Sequence, residues 1–166
     1  MKGLAKLSLH IIHCHFDYCC SSWYSALSQK LQKRLQVMQN KMIRFILNFE
    51  PRSHIGHDQF KRVSMLKVED RVNQLKLNHV FKIYHETAPN YLCSQFRKLS
   101  DVHRYNTRGS SDNNFLVPKI KGQESNSFFF TGIHQWNSLP AHIKSMQNYV
   151  QFKKAVKSHF LSETAF

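Results

Sequence analysis

From Ser25 to Asn48 the chain carries a repeat that only one kind of element can use. Leu27, Leu31, Leu35, Met38, Met42, Phe45 and Phe49 recur at steps of three and four. At about 100° per residue that spacing gathers side chains into one arc of an α-helix, whereas a strand would need alternation. The pattern predicts a helix over 25–48 that buries Leu31, Leu35, Met38 and Met42. Lys30, Lys33, Arg34, Lys41 and Arg44 project to one flank of the arc, and Gln32, Gln36, Gln39 and Asn40 to the other. No acidic residue occurs between Asp17 and Glu50. Solvated helices usually mix signs to gain i,i+4 support, so a flank of one sign is unusual.

The remaining elements are read around this helix. Leu4 to Trp23 is apolar and aromatic with scattered histidines, as suits a buried helix. Pro51 ends the 25–48 helix. A loop over 53–56 leads to a short helix near 58–63, and a long one runs from about Lys67 to His85. Glu69 and Asp70 lie in its first turn, where they complement the dipole. Val68, Val72, Leu75 and Ile83 line one face and Leu77, Val80, Phe81 and Tyr84 the opposite one, so this helix should be sandwiched. His79 reads as a satisfied core histidine. Ala88-Pro89-Asn90 breaks the helix and Tyr91 to Phe96 forms a short one. The stretch Arg104 to Asn114 is polar and turn-rich. Phe115 to Pro118 and Ser125 to Phe128 read as short strands flanking Gly122, with Pro118 confining the first to an edge. Phe129 to Ser138 is a short helix stopped by Pro140, and Asn148 caps a last helix to about Leu161. The fold class is mostly α: a helical bundle of about four main helices plus short ones, with an irregular or small β-hairpin segment around 103–128. The expected organisation is a helical region over 1–97, a loop or short-strand connector over 98–128, and a helical segment over 129–166 packing on the first region.

Composition decides which partners to consider. With 42% hydrophobic and 13% aromatic residues in 166, the chain can build a core. Its 24 Lys+Arg against 10 Asp+Glu leave a net charge of +14, which attracts nucleic acid, anionic lipid or an acidic protein. No stretch reaches the roughly 20 apolar residues of a membrane-spanning helix, and Lys6, His10 and His13 interrupt any signal-like apolar run. Cys14, Cys19, Cys20 and Cys93 include two neighbours and fit no disulfide framework. Reduced thiols and an intracellular, nuclear or cytoplasmic setting are expected.

Catalytic signatures do not emerge. There is no Gly-rich phosphate loop and no Gly-x-Ser-x-Gly elbow. Two-metal phosphoryl chemistry needs carboxylates converging on ions about 4 Å apart. The adjacent acids Glu69 and Asp70 point about 100° apart on a helix and so are poor co-ligands. The cluster His10, His13, Cys14, His15, Cys19 and Cys20 has ligand chemistry for zinc, but its spacing matches no standard finger and no second pair closes the site. No cofactor or metal is expected. The basic flank of Lys30, Lys33, Arg34, Lys41 and Arg44 is the leading functional candidate, because clustered cations release counterions from a phosphate backbone. Arg104 and Arg108, interleaved with Tyr105, form a second candidate suited to stacking on bases.

The residues also carry a family resemblance. His15-Phe16-Asp17-Tyr18-Cys19 followed by Trp23 resembles the segment after the polymerase core in reverse transcriptases of non-LTR (LINE-type) retrotransposons. Leu35-Gln36-Val37-Met38-Gln39-Asn40-Lys41, then Arg44 and Ile46, resembles the basic helix that follows. Val68-Glu69-Asp70-Arg71-Val72, Ala88-Pro89-Asn90-Tyr91-Leu92 and Tyr105-Asn106-Thr107-Arg108 are similar to later pieces. Phe128-Phe129-Phe130, Trp136-Asn137-Ser138-Leu139-Pro140 and Phe152-Lys153-Lys154 resemble the carboxy-terminal signature. These pieces stand in the family's order from about His15 to Leu161. Cys14 departs from the proline that relatives often carry there.

The resemblance implies a thumb-like and downstream region, in which the basic helix grips RNA, DNA or an RNA–DNA hybrid through phosphates, beside an upstream polymerase domain in the intact protein. It also implies no catalytic residue here, because the family's polymerase carboxylates lie upstream of these elements and no Asp-Asp occurs in the chain. The alternatives are an interaction or structural module, or a transposon relic with no activity of its own. No membrane partner is expected.

Overall fold

The computed structural model describes residues 14–102, 112–119 and 126–163. It is mostly α-helical. Its elements are α1 (Cys20–Trp23) running into a 3-10 turn (Tyr24–Ala26), α2 (Gln29–Leu47), α3 (His57–Arg62), α4 (Val68–Tyr84), α5 (Asn90–Cys93), α6 (Leu99–Val102), α7 (Phe128–Ser138), α8 (Ala141–Lys144) and α9 (Tyr149–Glu163). Two compact units form, Met1–Val72 with His159–Phe166, and Asn73–Ser158.

In the first unit, Ile43 of α2, Phe60 of α3, Ile55 and Met65 make a buried cluster, with Leu47, Phe49 and Val63 packed on it. Asn48 ends α2 in the left-handed conformation, φ 54°. The Phe49 N–H then reaches back to the Arg44 carbonyl at 2.9 Å, which satisfies an orphan acceptor of the last turn, while Phe49 itself turns onto the core. A left-handed Cys19 (φ 47°) separates the helical 14–17 from α1. The continuous helix expected over 4–23 is therefore broken there. The part before residue 14 lies outside the described residues.

In the second unit the core is aromatic. Trp136 is fully buried, stacks on Tyr84 at 5.2 Å and lies against Phe115 and Phe152. Both sides of α4 are covered as expected of a sandwiched helix, with Leu77, Val80, Phe81 and Ile83 all buried. Gly132 lets α7 approach α4 closely, since a Cβ there would stand 3.1 Å from Val80. Asn148 caps α9, its Oδ1 accepting from the Val150 N–H at 2.9 Å.

Two further expectations are corrected. The first is the small β-hairpin around 103–128: among the described residues there is no strand, and only an isolated antiparallel bridge joins Lys98 to Phe115. The reason lies in α7. The side-chain amide of Asn137 takes the place of a strand partner, accepting from the Phe115 N–H at 2.9 Å and donating to its carbonyl at 2.8 Å. Trp136 Nε1 donates to the Asn113 carbonyl. Ser127, read as strand, instead caps α7 by accepting from the Phe130 N–H. The second is His79, which is exposed and lies edge-on to Phe128 at 6.2 Å, rather than in the core.

Candidate nucleic-acid interface

The basic helix forms, but it is turned. Within α2 the buried residues are Gln39 and Ile43; Leu35 and Met42 are half-buried, while Leu31 and Met38 are exposed at 43% and 51%. On a helical wheel the buried direction lies roughly 90° from the centre of the apolar repeat, on the side of the glutamines. This corrects the expectation that Leu31 and Met38 are buried. The cause is backbone that needs partners. Gln39 Nε2 donates to the Leu66 carbonyl at 2.8 Å. Gln36 Oε1 accepts from the Val68 N–H, at the open N-terminus of α4. Gln32 Nε2 donates to the carbonyls of Tyr24 and Leu27. Gln36 also donates to Gln39 and Asn40. An amide side chain both donates and accepts, so a row of glutamines can satisfy turn carbonyls and helix-end N–H groups that leucines would leave unpaired.

This turn leaves the cations outward. Lys30, Lys33, Arg34 and Lys41 are exposed. Lys30, Arg34 and Lys41 fall within an arc of roughly 40°, with Lys33 about 60° further round. None of these four forms an ion pair among the described residues, whereas Arg71 pairs with Asp17 and Lys98 with Glu86. Arg44 is half-buried and partly engaged, its Nε donating to the Ser53 carbonyl at 2.7 Å, which ties the end of α2 to the following loop. Four expected residues thus share one outward face of α2, with the half-buried Arg44 near its C-terminal end. Arg104 and Arg108 lie outside the described residues. Exposed on the same helix are Val37 at 51% and Phe45 at 76%. No protein-family model, no curated protein and no solved structure matches this chain.

The other polar groups act within the fold. Asp17 and Arg71 form a two-point ion pair, Nε to Oδ1 at 3.1 Å and Nη2 to Oδ2 at 2.6 Å. This geometry gives directional strength to a partly exposed pair. Beside it lies a cleft between Phe16, Cys20, Trp23, Met42 and Val72, with a cavity volume of about 20 Å³, room for about one water and no substrate. Burial, with the Asp17 carboxylate adding, pushes the Cys20 thiol up to about 11 against the opposing pull of Arg71. Cys14 and Cys19 are exposed while Cys20 is buried, and among the described residues no group of three His, Cys, Asp or Glu could hold a metal ion.

Two buried lysines escaped the sequence reading. Lys76 donates to the Thr131 hydroxyl at 3.3 Å. Lys144 donates to Asn114 Oδ1 at 2.6 Å and the Asn137 carbonyl at 3.4 Å. No local pattern separates them from surface lysines. They are placed by the helices they cross, so they add nothing to the outward charge. Among the described residues no helix is long and apolar enough to cross a membrane.

Proposed function

We propose that this chain binds nucleic acid without sequence preference and carries no catalysis of its own, as the post-palm, thumb-like part of a non-LTR retrotransposon reverse transcriptase would. One observation supports it above the rest: Lys30, Lys33, Arg34 and Lys41 stand exposed on one side of α2, with no acidic residue between Asp17 and Glu50 to answer them. Helical side chains of one sign are mutually repulsive unless something anionic covers them. A phosphate backbone supplies regularly spaced anions, and releasing its counterions provides the driving force. Contacts of this kind position a duplex and read no sequence. RNA, DNA and their hybrid are therefore all partners, next to the polymerase domain that the resemblance implies upstream.

The test is the salt dependence of binding to labelled duplex DNA and to an RNA–DNA hybrid. Four phosphate contacts give a slope of log affinity on log salt near −3.6 for a duplex. Changing Lys33, Arg34 and Lys41 together to Glu should weaken binding to every sequence alike and flatten the slope by about 3. Salt-insensitive binding, or unchanged binding by the triple variant, would overturn the assignment of this face.

A further inference from the structure

The face that carries the cations also carries a cluster of apolar side chains, which gains free energy if a partner covers it. Leu31, Met38 and Phe45 recur every seven residues and are exposed at 43%, 51% and 76%, with Val37 at 51% across the stripe. Arg34 and Lys41 fall between them along the helix surface, and Lys30 lies beside them. Single exposed apolar residues are ordinary on a protein surface. Four on one helix face, interleaved with cations that have no acidic partner among the described residues, are not explained by scatter. The row from Leu31 to Phe45 is about 21 Å long.

We infer that α2 takes single-stranded nucleic acid in preference to duplex, with Phe45 stacking on an unpaired base and Arg34 and Lys41 holding the flanking phosphates. The inference rests on the nucleic-acid reading above and deepens it. In a duplex the base faces are already covered by stacking and only phosphates and groove edges face outward. Phe45, Met38 and Leu31 would stay wet against it and gain nothing. In a single strand the base faces are uncovered, and an aromatic ring beside cations satisfies base and backbone at once. The apolar side chains therefore contribute to one substrate and not to the other. An arrangement built for phosphate alone would have no use for a ring as exposed as Phe45.

The experiment compares the full chain and its Phe45→Ala variant on a fluorescent oligo-dT strand and on the oligo-dA·dT duplex of the same length, across a salt series. The single strand should bind more tightly. Phe45→Ala should weaken single-strand binding on the order of tenfold, leave duplex binding unchanged, and leave the salt slope unchanged because no cation is lost. Phe45→Trp should keep the preference. Phe45→Leu, which keeps apolar bulk without a ring, should behave like Phe45→Ala. Since Phe45 is exposed, circular dichroism should show all three variants folded. Equal binding of the two forms, or equal loss on both, would overturn the single-strand inference and leave the phosphate-binding reading standing. Absence of salt-dependent binding to either form would overturn that reading itself.

Discussion

Cys20 and its neighbours differ in exposure because one residue of backbone separates inside from outside. Cys19 takes a left-handed turn and is exposed, whereas Cys20 is buried with its thiol held near 11. At neutral pH only about one Cys20 in ten thousand is then a thiolate, the form that reacts. A thiol reagent should modify Cys14 and Cys19 quickly in the native protein and reach Cys20 only on unfolding, as peptide mass mapping against time would show. Labelling of Cys20 together with the first two would mean that the cleft beside Asp17 and Arg71 is open. Lys144 makes a different pH argument. Burial lowers its ammonium pKa below the usual 10.5, with Asp112 partly opposing. Between the folded value and 10.5 the unfolded chain binds more protons, so stability contributed at this site rises with pH in that alkaline window and the penalty persists below it. Urea unfolding of wild type and Lys144→Met should therefore show wild type gaining on the variant as pH rises toward 10.5. A difference that stays flat would place the Lys144 charge in water.

At the scale of elements, the repeat of leucines and methionines announced α2 and its length, and Pro51 its end. What it did not announce was the rotation of α2. Hydrophobic periodicity locates the greasiest arc, but the buried direction is set by whatever the neighbours leave unsatisfied, here the carbonyl of Leu66 and the N–H of Val68. Those partners lie 27 and 32 residues away, beyond any local pattern. The same limit explains why the expected hairpin is absent: Phe115 and Val117 are residue types favoured in strands, but the amide that pairs with the Phe115 backbone sits on α7. The basic flank was legible because charge of one sign is visible without knowing which way a helix faces. Core truncation tests the rotation directly. Ile43→Ala should cost about 2–5 kcal/mol, whereas Met38→Ala on the exposed side should stay within about 0.5 kcal/mol, both read by urea denaturation. Gln39→Leu, which leaves the Leu66 carbonyl unpaired, should cost about 1–3 kcal/mol although it adds apolar surface. Equal losses for Met38 and Ile43 would restore the orientation that the apolar repeat alone suggests.

Across the whole molecule, 24 basic against 10 acidic residues leave +14, and like charge at that density opposes compaction. Added salt screens the repulsion, so raising NaCl from low ionic strength should raise the unfolding midpoint. A polyanion acts differently, by binding the folded chain at a particular face. At a free concentration of 100 times its dissociation constant it stabilises by about 2.7 kcal/mol, equivalent to roughly 5–10 °C for a chain of this size. Changing Lys33, Arg34 and Lys41 to Glu removes six units of charge, from +14 to +8. That variant should start more stable at low salt, respond less to NaCl, and lose most of the shift produced by a short oligonucleotide. The two effects thus move in opposite directions in one protein: the variant is more stable alone and gains less from the anion. Thermal melts at low salt, with and without the oligonucleotide, separate them. If the triple variant kept the full oligonucleotide shift, the anion would be held elsewhere, with Lys153 and Lys154, exposed on α9, the next cations to reverse.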